Sequence, residues 1–304
     1  MMKTAIFGGV NAAVLTAMNA DLSVDLDRMA AHSRWLLANG CNGLGVLGTT
    51  GEANSIGIEE RMAILDGLVA RGIPARRMLP GTGTTNITDT VKLTRHAASL
   101  GAPGCLLLPP FFYKNPSEDG LFAYFSEVAK RIEDAAKIYF YHFPAQSAVP
   151  ITVPLIARLR SAHPGVFQGI KDSSGDFANT KSYVDAFAKD GFEVYCGDDA
   201  ALHDLLRAGG AGCITAAANV GCPVSAAVYA NAGTATADAA QVQLAAIRKA
   251  VTSAPLIPGL KALVGRRTGD ASWNHLRPPH LPLPADAAQR LFATFDATGL
   301  KLAA

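Results

Sequence analysis

No Cys-x-x-Cys pair occurs in the 304 residues, and the five cysteines, Cys41, Cys105, Cys196, Cys213 and Cys222, are odd in number. Neither a disulfide framework nor a zinc knuckle fits that pattern, and reduced, buried thiols in the cytoplasm are expected. The seven histidines are scattered, without His-x-His or His-Glu-x-x-His spacing. Asp198, Asp199 and His203 come nearest to a metal cluster. On a helix, Asp199 and His203 share a face at i, i+4, a spacing an exposed helix pair adopts as readily as a ligand pair. No metal is expected. Charge is scarce as well, 17% of residues with a net +2, and the signs are interspersed, which leaves no basic stripe for nucleic acid. No run reaches the roughly 18 apolar residues of a membrane helix. Lys3 ahead of the apolar stretch Ala5–Met18 has the make-up of a secretory leader. The same stretch supplies the first strand of the fold inferred below, and that reading is retained.

What is present is a soluble globular composition, 49% hydrophobic, in a chain long enough for a sizeable core. Length alone allows two domains. Apolar, β-rich runs recur at Ala12–Met18, Gly43–Gly48, Met78–Gly81, Cys105–Pro109, Ile138–Phe143, Phe167–Lys171, Phe192–Cys196 and Gly212–Thr215. Between them lie amphipathic stretches such as Asp25–Ala38, Glu59–Ala70, Ile87–Ser99 and Leu121–Ala135. Eight strands alternating with helices predict an α/β (β/α)8 TIM barrel over residues 1–223. From 224 to 304 there is no strand-like run, and the alanine-rich sequence, interrupted by Pro255, Pro258 and Pro278–Pro284, predicts a C-terminal helical domain.

Three segments carry chemistry. In Phe167-Gln-Gly-Ile-Lys171-Asp-Ser-Ser-Gly-Asp176 an apolar strand ends by placing one amine among small polar residues. Lysine is rarely buried unless paired or functional. A buried ammonium loses hydration, so the neutral, nucleophilic amine becomes accessible, which is what Schiff-base chemistry requires. A strand-end lysine snorkelling to solvent is the plainer alternative. In Gly48-Thr-Thr-Gly-Glu52 a glycine-flanked pair of hydroxyls follows a strand; such a turn is suited to holding a carboxylate, or is only a turn. In Lys137-Ile-Tyr-Phe-Tyr-His-Phe-Pro144, strand alternation sends Tyr139, Tyr141 and Phe143 to one face and Phe140 and His142 to the other. A tyrosine at a strand terminus is placed to relay protons, although most strand tyrosines merely pack. Thr49, Thr50, Tyr141, Lys171, Asp199 and Thr215 all fall at or near the carboxyl ends of the inferred strands, where barrel enzymes gather their catalytic groups.

These segments, in this order and at these separations, resemble the dihydrodipicolinate synthase and N-acetylneuraminate lyase superfamily of class I aldolases. The resemblance extends through Pro109–Ser117 (PPFFYKNPS), Cys196–Asp199 (CGDD), Gly212–Asn219 (GCITAAAN) and Leu276–Pro279 (LRPP), so it covers nearly the whole chain. It implies a pyruvate-handling barrel enzyme, a homotetramer built as a dimer of dimers, in which the lysine forms an imine with a 2-oxo acid. No cofactor is implied; pyruvate itself is the covalently bound group. Lys171 resembles the imine-forming lysine and Tyr141 the proton-shuttling tyrosine. Thr49 and Thr50 match the hydroxyl pair, one contacting the pyruvyl carboxylate and one relaying protons. Ser173, Gly197, Asp199, Ile214 and Thr215 match positions lining the substrate.

Three departures shape the expected activity. The arginine that grips the acceptor carboxylate in dihydrodipicolinate synthases, five residues after the tyrosine, is replaced here by Gln146, and an amide does not replace a bidentate guanidinium. The aromatic that the family projects across a subunit interface is Phe112 counted from Pro110, or Tyr113 counted back from Pro116; Tyr113, with its hydroxyl, is preferred as the relay donor. The position after Asp199, acidic in neuraminate lyases, is Ala200, which argues against sialic acid. Small residues, Ala145, Ser147, Ala148 and Ala216–Ala218, leave room on the acceptor side. The reading is therefore a pyruvate-dependent aldolase acting on a 2-oxo-3-deoxy sugar acid or related hydroxylated 2-oxo acid. The alternatives are a synthase joining pyruvate to aspartate semialdehyde, a dehydratase working from the same imine, and a non-catalytic 2-oxo acid binding protein. The last needs no matched amine, and the coexistence of Lys171, Tyr141 and the threonine pair argues against it.

Overall fold

The computed structural model describes residues 5–133 and 135–301; Lys3 of the leader-like stretch and Asp134 of an expected helix lie outside them. Its core is a seven-stranded sheet, every pairing parallel: β1 (Gly9–Ala13), β2 (Gly43–Gly45), β3 (Gly104–Leu107), β4 (Lys137–His142), β5 (Phe167–Asp172), β6 (Glu193–Cys196) and β7 (Gly212–Thr215), in spatial order β2-β1-β7-β6-β5-β4-β3. Between β2 and β3 runs the eighth expected segment, Met78–Gly81. It is joined by single parallel bridges, Leu44 to Met78 and Gly81 to Leu106. Leu79 N donates to Leu44 O and Leu106 N to Pro80 O, each at 2.8 Å. Pro80 has no N–H to donate toward β3, so the segment closes the (β/α)8 barrel without forming a regular ladder.

The first strand is not Ala12–Met18 but Gly9–Ala13. Asn11 hid its start from a search for apolar runs. It is wholly buried, and its Nδ2 donates to Phe7 O at 2.8 Å and Cys213 O at 3.2 Å. A polar residue whose side chain bonds to the backbone is as acceptable in a strand as an apolar one.

Helices α1 (Leu26–Ala38), α2 (Ile58–Ala70), α3 (Ile87–Ser99), α4 (Glu118–Ile132), the single turn α5 (Pro144–Ser147), α6 (Val153–Ala162), α7 (Phe177–Phe187), α8 (Leu202–Ala208) and α9 (Ala218–Ala230) surround the barrel. Their starts are chemically marked: Asp25, Asn86 and Ser117 each cap a first turn with a side-chain oxygen. Alternation along the strands separates two cores. Tyr139, Tyr141 and Tyr195 fill the barrel with Leu79, Leu106 and Ile214, while Phe140, Ile170 and Val194 face the helices. The extension comprises α10 (Ala235–Val251), α11 (Leu256–Thr268) and α12 (Ala285–Asp296), with Pro255 and Pro284 standing at helix starts. Position 223/224 lies inside α9, so we place the junction between barrel and extension at the turn 231–234.

Candidate active site

β5 delivers Lys171 to the carboxyl end of the barrel, and the parallel register sets it beside Tyr141 on β4. Lys171 is 5% exposed. Its Nζ lies 4.1 Å from the centroid of the Tyr141 ring. Among the described residues that amine has no carboxylate within ion-pair distance and no hydrogen-bond acceptor, the unusual condition for a buried lysine. Its neighbour Asp172, on the opposite face of the strand, is fully engaged elsewhere. It accepts from Thr180 Oγ1 at 2.7 Å and Asn179 Nδ2 at 3.0 Å, and pairs with His142 Nδ1 at 2.9 Å. Burial alone would raise its pKa, but those contacts together hold it below the ordinary carboxylate value. Asp172 is thus an anchor that fixes the ends of β4 and β5, not a counter-ion for Lys171.

The loop after β2 brings Thr49 and Thr50 to the same cleft, of about 270 Å³, that Lys171 and Tyr141 line. Glu52 N donates to Thr49 O at 3.0 Å, and Leu47 and Glu52 both take left-handed backbone angles, so the loop doubles back tightly. The N–H groups of Thr49 and Thr50 make no hydrogen bond among the described residues, leaving two donors beside two hydroxyls for an incoming carboxylate. Gly51 serves packing rather than ligand approach: a Cβ there would sit 2.9 Å from Val14 O. At Gly197 a Cβ would crowd Ser173 Cβ at 3.0 Å and Asp172 O at 3.2 Å and would force the Ser173 hydroxyl to rotate away.

The cleft also gathers Ser173, Gly197, Ala145 and Ala216. Other expected residues fall outside it. Ile214 and Thr215 are wholly buried; Ile214 packs inside the barrel, and Thr215 Oγ1 accepts from Ala217 N at 3.2 Å. Gln146 lies exposed on α5 and is not part of the lining. Ser147, Ala217 and Ala218 are buried, so less of the expected acceptor side is open than the sequence suggested. Phe112 and Tyr113 stand on the surface, 70% and 76% exposed, away from the cleft of their own chain.

Asp198, not Asp199, lines the cleft. Asp199 is wholly buried, neither carboxylate oxygen has a hydrogen-bond partner among the described residues, and burial pushes its pKa up to about 6. Nor is Asp199 half of an exposed pair with His203, which is itself buried with Nδ1 3.2 Å from Asp238 and Nε2 accepting from Gly233 N. The residue that sequence reasoning missed is Arg248. It comes from the last turn of α10, an alanine-rich helix of the extension with no recognisable motif, and it joins the lining of the cleft.

A closed parallel barrel with an isolated lysine at the carboxyl end of one strand and a tyrosine beside it defines a class of lyases. A family model described as the dihydrodipicolinate synthetase family matches residues 6–298, and the chain belongs to that family. It is 35% identical over 292 residues, 95% of this chain and 96% of the other, to an uncharacterized DapA-like lyase of Chloroflexus aurantiacus. Among solved structures it resembles dihydrodipicolinate synthase from Agrobacterium tumefaciens (34% identity, TM-score 0.88, covering 95% and 99% of the two chains). It also resembles YagE, a prophage protein of the same family from E. coli K12 in complex with pyruvate (30% identity, TM-score 0.89, covering 98% and 100%). The protein is a lyase of this family.

Proposed function

We propose that this lyase is a class I aldolase that cleaves a 2-oxo-3-deoxy sugar acid, or a related hydroxylated 2-oxo acid, through an imine on Lys171. The carrying observation is the buried Lys171 amine, which has no partner of its own among the described residues and is held over the Tyr141 ring. Thr49 and Thr50 receive the substrate carboxylate with their free N–H groups and hydroxyls. The Lys171 amine adds to the C2 carbonyl and water departs, leaving an iminium that acts as an electron sink. Tyr141, relayed through Thr50, takes the proton from the C4 hydroxyl as the C3–C4 bond breaks, and the bonding pair moves into the iminium to form an enamine. Protonation at C3 and hydrolysis release pyruvate and free the amine.

Condensation of pyruvate with aspartate semialdehyde is the second reading, favoured by the name of the Agrobacterium relative and opposed by Gln146, a neutral residue held outside the cleft. The exposed pair Phe112 and Tyr113 fits an interface aromatic, so we read the working form as a homotetramer in which Tyr113 reaches a neighbouring site. Five free, buried cysteines suit a reducing cytoplasm, and no described helix is long and apolar enough to cross a membrane.

Borohydride reduction in the presence of pyruvate should add one pyruvate-derived group to the peptide carrying Lys171, read by mass, and Lys171→Ala should abolish it. A normal adduct yield in that variant sinks the assignment. Release of pyruvate from a panel of 2-oxo-3-deoxy acids, followed with coupled lactate dehydrogenase beside a synthase assay, then separates cleavage from condensation.

A further inference from the structure

The cleft carries a guanidinium whose terminal amino groups are unengaged among the described residues. Arg248 lines it together with Ser173, Gly197 and Asp198, at 22% side-chain exposure. Its closest approach to each neighbouring carboxylate is through Nε, at 3.4 Å from Asp198 Oδ1 and 4.0 Å from Asp199 Oδ1. Neither distance makes a hydrogen bond of good geometry. Among the described residues its two terminal amino groups have no hydrogen-bond acceptor, although a guanidinium offers five donors in a fixed fork. Asp198, itself 42% exposed, is at most a loose surface counter-ion, a contact of small energetic weight. A guanidinium steadied on its Nε edge and open on its fork is arranged for a planar anion, which it binds through two parallel hydrogen bonds.

We infer that Arg248 is a specificity-determining residue that grips an anionic group at the far end of the acceptor, so that the preferred substrate is a 2-oxo acid with a second carboxylate, or a phosphate, beyond the bond that breaks. This rests on the aldolase reading above and narrows its substrate class. Lys171 and the threonine pair engage the donor end, whereas Arg248 is carried on α10 and enters the same cleft beside Asp198, just beyond β6. A hydroxymethyl terminus can accept one of these bonds but offers neither charge nor a second oxygen for the fork. An anionic one also benefits from attraction during approach. The role that Gln146 cannot fill is thereby moved from the barrel to the helical extension.

The test is titration calorimetry of the intact enzyme with glycerol, glycerate and glycerol 3-phosphate, analogues of a neutral, a carboxylate-bearing and a phosphate-bearing acceptor. It is run on the borohydride-trapped pyruvyl enzyme, whose donor subsite is filled, and on untreated enzyme. Glycerate or glycerol 3-phosphate should bind on the order of 10- to 100-fold more tightly than glycerol, the worth of hydrogen bonds to a charged group. The tighter of the two anions names the terminus. Arg248→Met should erase the preference and Arg248→Lys should keep part of it; should the Met variant fail to fold, Arg248→Gln replaces it. Failure of trapping defeats the Lys171 assignment alone, because the untreated enzyme still reports the anion preference. Equal binding of all three ligands, or a preference that persists without Arg248, overturns the inference.

Discussion

At the scale of single residues, Lys171 and Lys261 differ in how their buried amines are answered. Both are buried. Lys261 has Glu52 2.5 Å away and donates to His275 O at 2.9 Å, so its charge is answered even though burial lowers its basicity. Among the described residues Lys171 has only an aromatic face. The difference was legible for Lys171, because strand alternation predicts that it points into the barrel beside Tyr141 while Asp172 points away. It was not legible for Asp199 or Arg248. Whether a residue just beyond a strand turns into the cleft or beneath it depends on the path of the following turn, and a helical arginine is ordinarily solvated. Tyr141 yields the sharpest single-residue prediction. Its hydroxyl makes no hydrogen bond among the described residues, so Tyr141→Phe removes no contact of the resting fold. Its melting temperature should match the wild type while kcat for pyruvate release falls roughly 100- to 10,000-fold, the usual weight of a general acid–base group. Wild-type turnover in this variant would mean that another group moves the proton.

At the scale of elements, the loop 48–52 depends on a helix far away in sequence. Glu52 follows the threonine pair, and its partner Lys261 sits on α11; both side chains are wholly buried. Arg277, beyond that helix, donates to Ser55 O and pairs with Glu60 on α2. The extension therefore clamps the catalytic loop from outside the barrel. Removing one member of a buried pair strands the other charge, which costs about 3–5 kcal/mol. Lys261→Met should lower unfolding free energy by that amount in urea, and Lys261→Met with Glu52→Gln should recover part of it. If the single substitution is neutral, the pair does not secure the loop. Element boundaries were readable wherever the pattern was local: Ile87–Ser99 was predicted at both ends, since Asn86 caps its start. The strand around Pro80 and the start of β1 were less so. A proline in a closing segment weakens the ladder, and the Asn11 amide nitrogen finds an acceptor in Cys213 O, a contact that no local pattern reveals.

At the scale of the whole molecule, one chain places Phe112 and Tyr113 outward, in edge-to-face contact with ring centroids 5.3 Å apart. Two adjacent, largely exposed aromatics are an unfavourable surface for a lone chain and a suitable one for an interface. If Tyr113 completes a neighbour's site, Tyr113→Phe and Lys171→Ala are defects that reside in different chains. A site needs its own Lys171 and the partner's Tyr113. Each variant alone should be impaired, Tyr113→Phe partially and Lys171→Ala fully. Refolding the two together should produce mixed interfaces in which one site holds both a native lysine and a native tyrosine. Pyruvate release in the mixture should then exceed the sum of the separately refolded variants, and sedimentation should show the same tetramer throughout. A mixture no more active than that sum, or a monomer with full activity at every concentration, would place Tyr113 outside the reaction and leave the proton relay to Tyr141 and Thr50 within a single chain.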